Sequence, residues 1–195
     1  MSLQIYLGPM YAGKTTKMIQ MIQSNTSKQK VAIDYDIIGK DNRVSIGKLQ
    51  NHNKVYFEPV YRTKFLTHVM NESCFEESDK GFKAYSNMMR ASYIYINECQ
   101  FFPDLKEQVV SWINQGKHVF LYGLDADYKM EPFGQTSLLI PYCSHLEKLK
   151  GTCKLCSNPS IVSYRTSSDT QVYLPNADAY IPLCLKCKKD LSSSM

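Results

Sequence analysis

The stretch LGPMYAGKTT, residues 7 to 16, constrains the fold of this chain more than any other. Gly8, Gly13, Lys14 and Thr15 satisfy the pattern GxxxxGK[ST], in which backbone N–H groups wrap the oxygens of a polyphosphate. Such a loop belongs between a strand and a helix, because the helix must aim its positive N-terminal end at the bound anion. The flanks supply both. Ile5 to Leu7 is an apolar run, and Met18, Ile19 and Ile22 share one helical face. Gly8, Pro9, Met10, Tyr11, Ala12, Gly13, Lys14, Thr15 and Thr16 therefore form the candidate nucleotide loop. Lys14 supplies a mobile positive charge, and the Thr15 hydroxyl a place for magnesium.

Further along, short β-branched and aromatic runs recur with helical or loop segments between them: QIYL, VAIDYDI, KVYFEPV, SYIYI and HVFLYG. That alternation predicts an α/β fold with a largely parallel sheet. Leu105, Val109, Trp112 and Ile113 make the stripe of a helix that starts near Pro103 and Asp104. Residues Glu72 to Ala91 show mixed charge and no clear period, and read as loop with a short helix at most. A chain of 195 residues suffices for one sizeable core, alone or with a small appendage. With 44% hydrophobic and 21% charged residues it has the composition of a soluble globular protein, and no apolar run approaches a membrane span. The start MSLQIYLG lacks the basic and long apolar segments of an export signal, so a reducing, cytoplasmic setting is expected. The net charge of +5 suits anionic ligands, but Lys and Arg are scattered, which argues only weakly for nucleic acid.

The character changes after Gly151. CKLC and CLKC place Cys153, Cys156, Cys184 and Cys187 as two CxxC pairs, the ligand set of one closed, tetrahedral structural zinc. The alternative, a pair of disulfides, is disfavoured in a reducing setting. Closing both pairs on one ion makes residues 157 to 183 a loop tied at its base. Cys74, Cys99 and Cys143 lack such partners and read as core residues.

Phosphoryl transfer needs a metal, a phosphate cradle and usually a base for the attacking hydroxyl. The run YIYI ends in Asn97 and Glu98, at a strand end where nucleotide enzymes place the acid that serves magnesium. Glu98 is the only carboxylate of that pair, and it reads either as a base or as a plain aid to the metal. Asp41 and Arg43, in KDNR, form a second polar pair that is either phosphate-directed or a solvated loop.

Taken together these residues resemble the zinc-containing (type II) thymidine kinase family. The resemblance rests on GPMYAGKTT, KDNR, NECQFFPDL, LDADYKMEPFG, both CxxC pairs and NADAY, in that order. It implies a P-loop α/β domain over residues 1–150, a zinc-binding lasso domain over 151–191 and a short tail, 192–195. It also implies transfer of the γ-phosphoryl group of ATP to the 5′-hydroxyl of thymidine, and of deoxyuridine as a further acceptor. Magnesium dependence, a structural zinc, dTTP as feedback inhibitor and a homotetramer follow from the same likeness. Carried over by position, Glu98 is the catalytic base, and Thr15, Asp41, Arg43 and Asn97 serve magnesium or phosphate. Met10, Phe101, Leu124, Tyr128, Phe133, Ser163 and Tyr180 bind the nucleoside. Two departures stand out: Asn97 replaces the family's aspartate, and LPNADAY lacks the usual glycines before its AD. Other readings remain open. One is a nucleotide-binding zinc protein that uses Lys186, Lys188 and Lys189 on nucleic acid; another is a relative whose activity is reduced by Asn97.

Overall fold

The computed structural model describes residues 1–37, 43–51, 53–171 and 177–193. Its main elements are, in chain order, β1 Ser2–Leu7, α1 Lys14–Ser24, β2 Lys30–Tyr35, β3 Ser45–Gln50, β4 Tyr56–Thr63, α2 Asp79–Arg90, β5 Tyr93–Ile96, α3 Leu105–Asn114, β6 His118–Gly123, β7 His145–Lys148, β8 Gly151–Thr152, β9 Pro159–Ser160, β10 Val162–Arg165, β11 Tyr180–Leu183 and α4 Leu185–Ser192.

β1 to β7 form a seven-stranded sheet in the order β3-β4-β2-β5-β6-β1-β7. Every pairing is parallel except that of edge strand β3 with β4. The sheet is the largely parallel α/β architecture expected from the sequence. Alternation along its strands sorts the core into two layers. On one face Leu3, Ile5, Ile33, Ile94, Ile96, Val119 and Leu121 meet Ala84 and Met88 of α2 and Leu105, Val109 and Trp112 of α3. On the other, Tyr6, Ala32, Tyr95, Phe120 and Tyr122 meet Met18, Ile19 and Ile22 of α1. Aromatic pairs stack flat across adjacent strands there, Tyr95 on Phe120 at 4.5 Å and Tyr6 on Tyr122 at 5.0 Å between ring centroids. Buried on both faces, the central strands read as nearly continuous apolar runs.

Two elements differ from expectation. The stretch from Glu72 to Ala91 contains the twelve-residue helix α2. Its start is set by the Ser78 hydroxyl, which accepts from the N–H of Gly81, while Asp79 and Arg90 suit the two ends of the helix dipole. Only Gly81, Ala84 and Met88 are buried, a stripe too small to register as a period in the sequence. The other is β3, at the sheet edge, where Leu49 is buried and the remaining residues are exposed or half-buried without alternation. The three unpaired cysteines behave as core: Cys99 is buried, and Cys74 and Cys143 pack against the α3-side cluster.

From Gly151 onward the chain leaves the large sheet. β8 pairs with β9 and β10 with β11, both antiparallel, and α4 follows. The apolar cluster in this part is small, with Cys153, Val162 and Leu183 at its centre.

Candidate active site

β1, β5 and β6 all end on one edge of the sheet, and the loops that leave them build the site, as parallel α/β topology requires. After β1 the chain turns through residues 8–13 into α1. Gly13, at the N-cap of that helix, has φ of 78°, a left-handed conformation that glycine adopts without strain. Lys14 is buried, and its Nζ donates to the carbonyls of Gly8 at 3.1 Å and Pro9 at 2.7 Å. Burial lowers the Lys14 pKa, and the charges of Glu98 and Asp125 oppose that shift. The residues of the loop from Met10 to Thr16 line a cleft of about 560 Å³, together with Ile37, Gln50, Asn51, Glu98 and Leu124. Gly8 and Pro9 are buried behind it.

Glu98 follows β5 in the left-handed region, with φ of 49° and ψ of 40°. A non-glycine residue persists there only when its surroundings fix it, and such residues gather at functional sites. Burial pushes its carboxyl above the ordinary range, while Lys14 and a hydrogen bond from Gln100 pull it back. Asn97 is buried and turned elsewhere. Its Nδ2 donates to Asp34 Oδ1 at 2.9 Å, and the other oxygen of Asp34 lies 3.4 Å from Arg62 Nε. Arg62, Asp34 and Asn97 thus make a cross-strand row on β4, β2 and the end of β5. Burial raises the Asp34 pKa, and Asn97 and Arg62 counter that rise. The sequence alone pointed to neither Asp34 nor Gln100.

The expected acceptor residues fall into two groups. Met10 and Leu124 line the cleft itself. Phe101 and Phe133 pack edge-to-face at 5.4 Å, with Tyr35 at 5.1 Å from Phe101. Tyr128, in the loop after β6, lies under the guanidinium of Arg165 at 3.7 Å. That loop is held in shape by Asp127, whose carboxylate accepts from the N–H groups of Lys129 and Glu131. Arg165 also donates to the Tyr180 hydroxyl at 2.6 Å, to the carbonyl of Asp169 at 2.9 Å and to that of Gln171. Its place at the end of β10 gives no sequence signal, because its partners come together only through the fold. Ser163 bridges the two parts of the chain: its hydroxyl accepts from the backbone N–H of Met10 at 2.9 Å. Arg43 is exposed and is not among the residues that line the cleft. Asp41 lies outside the described residues.

Cys153, Cys156, Cys184 and Cys187 converge, with all four sulfurs within 4.8 Å of one another. The N–H of Cys187 donates to Cys184 Sγ, and Asn158 Nδ2 donates to Cys156 Sγ. Four thiols at this spacing, two of them steadied by N–H donors, form a donor set for a tetrahedral soft metal ion, as structural zinc requires.

A glycine-hinged loop that ends in a buried lysine and a threonine at a helix start, on the edge of a parallel sheet, makes this chain a P-loop nucleotide-binding protein. The thymidine kinase family model matches residues 1–188, and the chain belongs to that family. It is 31% identical over 186 residues to a thymidine kinase of Oryza sativa subsp. japonica, an alignment that spans 93% of this chain and 64% of the rice protein. It is 32% identical over 191 residues to the thymidine kinase of Vaccinia virus (strain Western Reserve), across 96% of this chain and 97% of the viral protein.

Proposed function

We infer that this protein is a kinase that transfers the γ-phosphoryl group of ATP to the 5′-hydroxyl of thymidine, with deoxyuridine as a further acceptor. The observation that carries the reading is Glu98, which lines the same cleft as the phosphate loop in a chain of thymidine kinase ancestry. In this reading residues 8–16 hold the phosphates through backbone N–H groups, and Lys14 leaves its carbonyl partners to meet the γ-phosphate. Glu98 takes the proton of the 5′-hydroxyl as that oxygen attacks the γ-phosphorus and ADP departs. Met10 and Leu124 wall the nucleoside, with Phe101, Phe133 and Tyr128 beyond them, and the loop between Ser163 and Tyr180 closes over the base.

The Thr15 hydroxyl offers a hard divalent cation an oxygen donor beside the phosphate site, and Asn97 is proposed to serve that ion through its amide oxygen. Magnesium bound there would neutralise charge on the β- and γ-phosphates. Asp41 and Arg43 are proposed to act on phosphate or metal. The four cysteines are proposed to bind zinc as a structural ion, with residues 151–191 forming the lasso domain and 1–150 the nucleotide domain. A cytoplasmic homotetramer inhibited by dTTP is the corresponding expectation for assembly and control. Among the described residues, no helix is long and apolar enough to cross a membrane.

Incubating the protein with Mg²⁺, ATP and each natural nucleoside tests the assignment. Thymidine monophosphate and ADP should form in equal amounts, with purine nucleosides inert. No monophosphate from any pyrimidine nucleoside would overturn it.

A further inference from the structure

Gln100 is 3% exposed and lies in the single 3-10 turn, Cys99–Phe101, that follows Glu98. Its Nε2 donates to Oε2 of Glu98 at 2.7 Å, and its Oε1 accepts from the backbone N–H of Leu124 at 2.9 Å. Glu98 and Leu124 both line the cleft but follow different strands, β5 and β6. One amide therefore ties the carboxylate to the wall opposite it.

The tie has a direction. A primary amide has a donor end and an acceptor end, so turning it over would set oxygen against carboxylate and NH2 against N–H. Only one orientation satisfies both partners. A Cβ on Gly123, the last residue of β6, would come to 2.5 Å from both Gln100 Oε1 and Cys99 Sγ, so the glycine leaves room for this amide. The backbone at Glu98 is left-handed, a conformation that needs such outside support.

We propose that Gln100 is a positioning residue for phosphoryl transfer, holding one oxygen of Glu98 so that the other is left for the acceptor hydroxyl. Through Leu124 it links that orientation to the acceptor wall. The proposal rests on the reading of Glu98 as the base. Misplacing a reacting group by about 1 Å can cost on the order of 10²-fold in rate without loss of binding, so the effect belongs in kcat.

Gln100→Met keeps the shape of the side chain and removes both hydrogen bonds. It should lower kcat by about 10- to 100-fold and leave KM for ATP and thymidine within about threefold of wild type. In a Glu98→Gln background the same change should cost less than about twofold, because no carboxylate remains to be aimed. Gln100→Glu keeps the acceptor for Leu124 and loses the donor to Glu98. Setting a second buried carboxylate against Glu98 should lower the melting temperature, and the folded variant should still lose tenfold or more in kcat, on the same positioning argument; circular dichroism at the assay temperature shows that it is folded, and it then decides the matter should Gln100→Met fail to fold. Wild-type kcat in a folded Gln100 variant beside an inactive Glu98→Gln would overturn the proposal alone, as would equal losses from Gln100→Met in both backgrounds. Near-normal turnover of Glu98→Gln would overturn the base assignment and this proposal with it.

Discussion

Around the phosphate loop, position is set by a seven-stranded sheet packed on both faces, with Trp112, Tyr61 and Tyr122 buried. From residue 151 onward the buried apolar side chains are Cys153, Val162, Tyr180 and Leu183, among the described residues. Burying one such side chain contributes about 1.5–3 kcal/mol, so the core of this part is small. A metal ion on the four cysteines, worth about 10–16 kcal/mol in small metal-folded units, would be its largest single source of stability. The nucleotide half thus depends on its core, and the other half is proposed to depend on a metal ion held by the four cysteines. Ser163, bonded to Met10, and Arg165, over the Tyr128 ring, join the second half to the first.

The largest expected effect lies wholly in the first half. Glu98→Gln should reduce kcat by about 10²- to 10⁴-fold, the range for loss of a general base, while nucleotide and thymidine still bind in calorimetric titration. Wild-type Glu98 also predicts a pH dependence. Its carboxyl sits above the ordinary 4.5, chiefly through burial. A base works ionised, so activity is present above its pKa and is lost as pH falls through it. The acid limb of kcat should lie above pH 4.5, and a limb at the ordinary carboxylate position would argue against a buried base.

Zinc removal should act on the second half first. Cys153→Ser, or chelation, should speed amide hydrogen exchange in residues 157–171 and 177–183 before any strand of the large sheet opens. The KM for thymidine should rise by about tenfold, roughly the loss of one good anchoring contact, with ATP binding kept. Simultaneous exchange in both halves would erase the contrast drawn above.

Asn97→Asp sharpens the comparison within the nucleotide half. The new carboxylate would face Asp34, to which the amide now donates. Replacing that donor by a like charge should lower stability by about 1–3 kcal/mol, and the further change Asp34→Asn should restore most of it. Thermal melts and magnesium titrations of the single and double variants would read this. If position 97 serves the metal, the double variant should need less Mg²⁺ than wild type.

Ser163→Ala gives the smallest effect. It leaves the Met10 N–H without its acceptor, at about 1 kcal/mol, and should raise KM for thymidine a few-fold. No change in KM would mean that the zinc half does not take its register from the phosphate loop.

Much of this was legible in the chain. The phosphate loop, the strand that leads to Glu98 and the paired CxxC motifs are local patterns whose chemistry needs those residues at that spacing. The reading ran out where partners are distant. α2 leaves little trace in the sequence because its buried stripe is Gly81, Ala84 and Met88, too small to mark a period. Asp104, read as the start of α3, does sit at that N-cap, but its carboxylate accepts from the N–H groups of Leu66 and Thr67 instead.

The sequence by itself determined the nucleotide loop, the four metal-directed thiols, the parallel α/β class and the family, because each is written in contiguous or regularly spaced residues. Tertiary structure alone decided that Gln100 holds Glu98 to Leu124, that Asn97 turns to Asp34, and that Arg165 bridges Tyr128 and Tyr180. Apart from the Glu98–Gln100 bond, those contacts join groups far apart in the chain. Hydrogen bonds and ring stacking act over a few ångströms, so such pairings come into being only when strand order and register bring the residues together.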